Sequence, residues 1–261
     1  MGDPHKMINK IEDIDITLDE ATHKYNLESD PSIDFTSCTT FIKYFFKAFD
    51  SIGIANNLVA NHPNYIGMSP QELAEVWDKK AEVGTLVHNE IDKYIKNDET
   101  PSLDKSILAV NWLNNYLNND SQIYSEVILY AKTLQLAGTV DLLVYNKSTN
   151  LYEIFDWKTS QKIDKNSYGN KMGTTKATSK LMDCNFILYS LQLSLYRYIL
   201  EEYYNISISK TTILHINDTE VIPYESKHYK TEIEEMLKFD RDALQRKAED
   251  SLTKEYINPL E

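Results

Sequence analysis

Asp141, Asp156 and Lys158 lie in the stretches Gly138-Thr-Val-Asp-Leu-Leu-Val-Tyr145 and Leu151-Tyr-Glu-Ile-Phe-Asp-Trp-Lys-Thr159, spaced as D…DxK. Such a triplet can hold a divalent metal against a phosphate while a cation sits beside an attacking water, which is what hydrolysis of a phosphodiester requires. Two aspartates close together are costly unless a cation neutralises them, and hard oxygen ligands suit Mg²⁺ or Mn²⁺. Lys158 would then hold or deprotonate the nucleophilic water and offset charge on the transition state. Taken singly, each residue reads more readily as a solvated charge at a strand end; it is the three together that point to the metal site.

The chemistry needs a particular register. Residues two apart on a strand share a face, so Asp156 and Lys158 point the same way. Asp141 joins them only if it lies opposite Asp156, which pairs 143 with 154 and 145 with 152 and leaves Lys147-Ser-Thr-Asn150 as the turn. The same register gathers Val140, Leu142 and Val144 against Trp157, Phe155 and Glu153 on the other face. A slip of one residue would separate the acids.

Further candidates flank the triplet. In Gly84-Thr-Leu-Val-His88-Asn-Glu-Ile-Asp92, Val87, Ile91 and Ile95 form a buried helical ridge, and His88 sits at its margin as a third metal ligand or a structural histidine. Asp92, one turn on, could orient the imidazole, and imidazole ligation tilts the preference toward Mn²⁺. Glu126, on the strand before Gly138, could extend the site to a second ion or support the first. Gln192 and Tyr196 share a helical face and could contact a phosphate or orient Lys158, or simply pack.

The rest of the chain must position these groups. An extended start from Ile14 to Tyr25 is followed by a helix over Thr36 to Ala60, whose Phe41, Ile42, Phe45, Phe46 and Phe49 read as one buried face. Ser69-Pro-Gln-Glu72 is a capping box that opens a helix through Trp77 to Lys80. Two more helices are expected over Val83–Lys96 and Leu103–Leu117. Strands follow at Tyr124–Tyr130, Leu134–Tyr145 and Leu151–Lys158, joined as an antiparallel meander. Thr159 to Lys180 carries Lys162, Lys165, Lys171, Lys176 and Lys180 and reads as an exposed, mobile basic loop. A helix over Phe186–Tyr204, strands at Thr211–His215 and Glu220–Tyr224, and a charged helix over Lys227–Ala248 complete the pattern.

The whole chain has 261 residues, with 42% hydrophobic and 26% charged, the composition of a folded globular protein. One domain is expected over 7–261, with a mostly helical elaboration to 120, a catalytic core over 121–225 and a C-terminal helix from 226. Residues 1–6 read as an appended remnant ahead of a natural start at Met7. The net charge of −13 opposes nucleic acid on average, so such a partner must be met by local basic surface or bound metal. Cys38 and Cys184, the two cysteines, are too far apart for a CxxC motif and support neither a disulfide framework nor a metal cluster. Neither a signal pattern nor a run of roughly 20 apolar residues is present, so a soluble, intracellular protein without membrane contact is expected.

In order, G-T-x-x-H, Glu126, G-T-V-D, D-W-K-T and Q-x-x-x-Y from Gly84 to Tyr196 resemble the PD-(D/E)xK nuclease superfamily, and within it the RecB-like exonuclease branch. His23-Lys-Tyr25 and Ser37-Cys-Thr39 extend the likeness. The resemblance implies an α/β (α+β), restriction-endonuclease-like mixed central sheet flanked by helices, with the helical N-terminal elaboration. It implies metal held by His88, Asp141, Asp156 and the Trp157 carbonyl, and Lys158 as the catalytic lysine. Asp141, Asp156 and Glu126 complete the catalytic acids, while Gln192 and Tyr196 position DNA. Lys162, Lys171 and Lys176 of the basic loop would supply the basic surface. Asp92 stands where the family has glutamate, and Val140 where its name places proline. Iron–sulfur members carry four cysteines that this chain lacks, so no cluster is expected. The implied function is an Mg²⁺- or Mn²⁺-dependent exonuclease acting on single-stranded or frayed DNA ends in recombination or repair. The alternatives are a noncatalytic nucleic-acid or protein-binding module, and an endonuclease acting on DNA or RNA.

Overall fold

The computed structural model of the protein describes residues 10–246. Along them run β1 (Ile16–Asp19), β2 (Lys24–Leu27), β3 (Thr36–Ser37), α1 (Cys38–Lys43), α2 (Ser51–Asn61), α3 (Pro70–Asn97) and α4 (Asp104–Tyr116). The meander β4 (Ser121–Ala131), β5 (Leu136–Asn146) and β6 (Leu151–Lys158) follows. Then come α5 (Asn185–Tyr203), β7 (Ile208–Ile216), β8 (Val221–Glu225) and α6 (Lys230–Met236). The remnant expected over residues 1–6 lies outside the described residues.

The six-stranded sheet is mixed, with β3, β5, β6, β7 and β8 in that order and β4 paired along β5. β5 runs antiparallel to β4 and β6, while β6 runs parallel to β7. Helices cover both faces, so the architecture is the mixed α/β sheet flanked by helices that the sequence predicts. On one face α5 and α1 enclose Val127, Leu143, Ile154 and Ile213 with Leu191, Leu195 and Phe41. On the other, Val87 and Ile91 of α3 and Leu113 of α4 pack on Leu142, Val144, Phe155 and Trp157. The β1–β2 hairpin forms a third, smaller cluster with Phe35, Tyr130 and Ala137. No helix among the described residues is long and apolar enough to cross a membrane.

Several elements depart from the sequence expectation. The helix expected over Thr36–Ala60 is broken: α1 ends at Lys43, and α2 starts only where Asp50 caps Gly53 N at 2.8 Å. Phe41, Ile42, Phe45 and Phe46 are buried, but Phe49 falls in the break and is 69% exposed. The capping box at Ser69 is present, yet the two helices expected after it are one 28-residue helix, α3. The C-terminal helix stops at Met236 and resumes at residue 241; its expected end, residues 247–248, lies outside the described residues.

The loop after β6 is anchored rather than free. Thr178 is fully buried and donates to the Phe45 carbonyl at 3.0 Å, and Thr174 N–H reaches the same carbonyl at 2.8 Å. Its lysines still point outward.

A candidate metal centre at a break in the sheet

The hairpin register is the one the chemistry requires, because Leu143 pairs with Ile154 and Tyr145 with Tyr152. The ladder ends at Leu142 and Phe155, one step short of Asp141 and Asp156. On the other side of β5, Ser125 pairs with Leu142 and Val127 with Val140, which places Glu126 across from Asp141. Three acids therefore lie level on three neighbouring strands.

That level is also where alternation fails. Glu126 has φ 50°, a left-handed conformation that a residue with a side chain adopts at a cost. Before it, Tyr124 packs toward the α5 face; after it, Val127 does. In β5 Val140 and Leu143, an odd number of residues apart, likewise share that face. Val140 thus leaves the set expected with Leu142 and Val144, which pack on the α3 side. Both strands switch faces together, and the switch frees Glu126 and Asp141 from the ladder.

His88 completes the cluster from α3. Its Nε2 lies 3.1 Å from the Trp157 carbonyl, and its Nδ1 is 3.6 Å from Asp141 Oδ2 and 3.8 Å from Glu126 Oε1. Ligand atoms of His88, Glu126 and Asp141 all lie within 4.8 Å of one another. The Trp157 N–H donates to Asp141 Oδ2 at 2.8 Å. When Nε2–H donates to the Trp157 carbonyl, the Nδ1 lone pair faces the carboxylates, an arrangement that suits a shared cation.

Glycines let these elements approach. A Cβ on Gly138 would lie 2.5 Å from Tyr196 Cε1, and one on Gly84 would lie 2.9 Å from Thr159 Oγ1. The first allows α5 to seat Tyr196 against β5; the second lets α3 bring His88 to the end of β6.

Asp156 stands beside this cluster, with both oxygens engaged. Gln192 Nε2 donates to Oδ1 at 3.0 Å, and Lys158 Nζ lies 2.5 Å from Oδ2. Gln192 also reaches Tyr196 Oη at 3.2 Å. Gln192 and Tyr196 are 9% and 3% exposed, so Gln192 holds Asp156 from a buried position with Tyr196 behind it, and neither lines the cleft. Asp92 does not orient His88: it pairs with Lys96 at 2.9 Å, the neighbour one turn on.

Electrostatics follow from burial among like charges. Burial pushes the Asp141 carboxyl up, although His88 and Lys158 oppose the shift. Asp156 is raised by burial too, against the pull of Lys158 and with the push of Asp141. Burial works against a charged His88, but Asp141 and Glu126 outweigh it and lift the imidazole to about 9. Lys158 is raised as well: Asp156 and Asp141 outweigh its burial, so the ammonium stays charged. In that state Lys158 is a hydrogen-bond donor toward Asp156.

A cleft of about 1300 Å³ opens over the cluster. Its walls are α3 near Val76, Lys80 and Gly84, the β1–β2 turn at His23, and the turn after Lys158. Tyr189 also lines it, with its ring centroid 4.8 Å from Lys158 Nζ. Tyr189 was not foreseen, although it precedes Gln192 by three residues on the same helical face. Lys162, Lys171 and Lys176 are not brought to the cleft. Lys162 pairs with Asp164 at 2.9 Å, and Lys176 lines a separate groove against Glu232 and Glu235.

No protein-family model matches the chain, and no curated protein does. Among solved structures it is similar to SSO0001, at 13% identity and a TM-score of 0.33, over 84% of this chain and 75% of that one.

Proposed function

We propose that this protein is a divalent-metal-dependent nuclease that hydrolyses phosphodiester bonds of DNA. The observation that carries the reading is the convergence of His88, Glu126 and Asp141 at a break in the sheet, one step from the buried Asp156 and its half-buried partner Lys158. Acids brought this close to one another are costly unless a cation neutralises them.

The donor set fits a hard or borderline divalent ion, since it combines carboxylate oxygens with one imidazole nitrogen. His88, Glu126 and Asp141 would hold Mg²⁺ or Mn²⁺, with Asp156 and the Trp157 carbonyl next to them. When bound, the ion supplies positive charge to a phosphate oxygen and lowers the pKa of a water. Lys158, fixed by Asp156 and by the Tyr189 ring, donates to the attacking water or to the charge that builds on phosphorus. Gln192 fixes Asp156 in turn, and Trp157 N–H fixes Asp141. The resemblance read from the sequence favours an exonuclease that takes single-stranded or frayed ends. Against a noncatalytic binding module stands the complete set of acids with its lysine.

The test is incubation with 5′- or 3′-labelled linear and covalently closed DNA, single- and double-stranded, in Mn²⁺, Mg²⁺ or EDTA. Cleavage of linear DNA that EDTA stops is expected. Cleavage insensitive to EDTA removes the metal, and cleavage of closed circles removes the exonuclease.

A further inference from the structure

Helix α3 changes its surroundings along its length. At about 100° per residue, Leu73, Val76, Lys80, Val83, Val87 and Ile91 fall on one stripe. The stripe is buried at Leu73 and again at Val87 and Ile91, but Val83 between them is 48% exposed. Over that middle stretch the helix stands away from the sheet, and the gap is the cleft. Two lysines, Lys79 and Lys80, project there and are exposed.

The helix also sorts its charges. Glu75 and Glu82 are the i−4 and i+3 neighbours of Lys79 on the side away from Lys80, and neither they nor Asp78 line the cleft. In a chain with a net charge of −13, α3 thus lends the cleft lining two lysines and no acid. The other cleft lysines are committed elsewhere. Lys158 is held by Asp156, and Lys105 Nζ is shared among the Thr159 carbonyl at 3.4 Å, the Ile216 carbonyl at 3.2 Å and Asp218 at 3.4 Å. Glu20 and Asp218 also line the cleft, from the β1–β2 turn and the turn after β7.

From this placement we infer that Lys79 and Lys80 bind the phosphate backbone of the substrate strand next to the reacting phosphate, with Val76 and Val83 against its sugars and bases. The inference rests on the nuclease reading and assigns its substrate contacts to α3 instead of the loop of Lys162, Lys171 and Lys176. Eight residues separate Lys80 from His88, roughly 12 Å along the helix axis. That span places both lysines on flanking phosphates, outside the metal cluster, so they govern binding and not the chemical step.

The experiment compares wild type, Lys79→Ala/Lys80→Ala and Lys162→Ala/Lys171→Ala/Lys176→Ala in Mn²⁺-dependent cleavage of a labelled single-stranded oligonucleotide at several salt concentrations. For the α3 double variant KM should rise about tenfold or more with kcat little changed. Its log(kcat/KM) against log salt should be shallower by roughly 1.4, about 0.7 per lost phosphate contact on a single strand. Calorimetric Mn²⁺ affinity should be unchanged, and the loop triple variant should match wild type. An unchanged KM and salt slope in the α3 variant, with wild type active, overturns the inference alone. A wild type that cleaves nothing in Mn²⁺ or Mg²⁺ overturns the nuclease reading, and the inference with it.

Discussion

The Trp157 backbone N–H donates to Asp141 Oδ2 at 2.8 Å, at the point where the β5–β6 ladder has already ended at Leu142 and Phe155. A side chain thus ties the two strands where backbone pairing stops. Asp141 is joined through Trp157 to the strand that carries Asp156 and Lys158, so the acid facing His88 and the acid–lysine pair are positioned as one unit. Their charges must be treated together.

Without metal, that unit makes stability fall with rising pH. The folded-state pKa of His88, lifted to about 9, exceeds its ordinary 6.5, so its contribution is complete below 6.5 and is lost as pH climbs through 9. Asp141 and Asp156, raised by burial, act with the same sign: their contribution is lost as pH rises through their folded values. Melting in EDTA should therefore drop between pH 6.5 and 9, with His88 accounting for at most about 3 kcal/mol. His88→Asn should flatten the curve in that window. A wild-type profile that is level or rising there contradicts the charge balance.

Metal binding should release a proton. His88 carries its proton at pH 7.5, and its Nδ1 cannot act as a ligand until that proton leaves. Mn²⁺ titrations by calorimetry in buffers of different ionisation enthalpy should report close to one proton released, and affinity should strengthen toward pH 9. His88→Ala should bind more weakly and lose the buffer dependence. Heats independent of buffer in the wild type would place His88 outside the ligand set.

Lys158→Met keeps the apolar stem of the side chain and removes its ammonium group. Because the ammonium is a fixed donor, kcat should drop by about 10²–10³. Mn²⁺ affinity should hold or strengthen, since a cation beside the acids is gone and Lys158 is not among the three converging ligands. Loss of metal binding in this variant would instead mean that Lys158 organises the cluster, and kcat alone could not then report its chemistry.

Gln192→Leu separates a supporting role from a substrate contact. The amide donates to Asp156 Oδ1 from a buried position, so its loss leaves that oxygen without its donor. Stability should fall by about 1–3 kcal/mol, and kcat by about 10- to 100-fold as Asp156 and Lys158 lose their fixed geometry. KM for DNA should barely move. A variant with raised KM and normal kcat would restore Gln192 to the substrate surface.

Much of this site is legible in the sequence because strand period and hairpin length are local rules. The spacing of Asp141, Asp156 and Lys158 with a four-residue turn specifies the register, and the structure has that register. The face switch at Glu126 and Asp141 is not legible, since a left-handed glutamate has no signature in a run that otherwise alternates. For the same reason strand alternation places Val140 with Leu142 and Val144, whereas it packs in the opposite core. The position of the lysine-rich loop is not legible either, because charge pattern carries no direction: its threonines anchor it to Phe45, and Lys162, Lys171 and Lys176 are not on the cleft lining. Burial of Gln192 and Tyr196 depends on how closely α5 approaches β5, which a glycine three residues before Asp141 controls from a distant part of the chain.

That glycine and its counterpart on α3 should respond to the same substitution with opposite consequences. At Gly138, a methyl group would sit 2.5 Å from Tyr196 Cε1 and 3.2 Å from Cys38 Sγ, and the ring is buried on every side. Relief requires α5 to shift, so Gly138→Ala should cost about 1–3 kcal/mol, and it should reduce kcat because Gln192 moves with Tyr196. At Gly84, the close atom is Thr159 Oγ1 at 2.9 Å, the end of a side chain that can rotate. Alanine within a helix gains about 1 kcal/mol over glycine, which offsets the contact, so Gly84→Ala should leave the melting temperature level or slightly higher. Activity should follow stability at Gly138 and part from it at Gly84, where a displaced Thr159 adjoins Lys158. Thermal melts paired with Mn²⁺-dependent cleavage check both. Equal destabilisation at the two positions would show that α3 is held as rigidly against β6 as α5 is against β5.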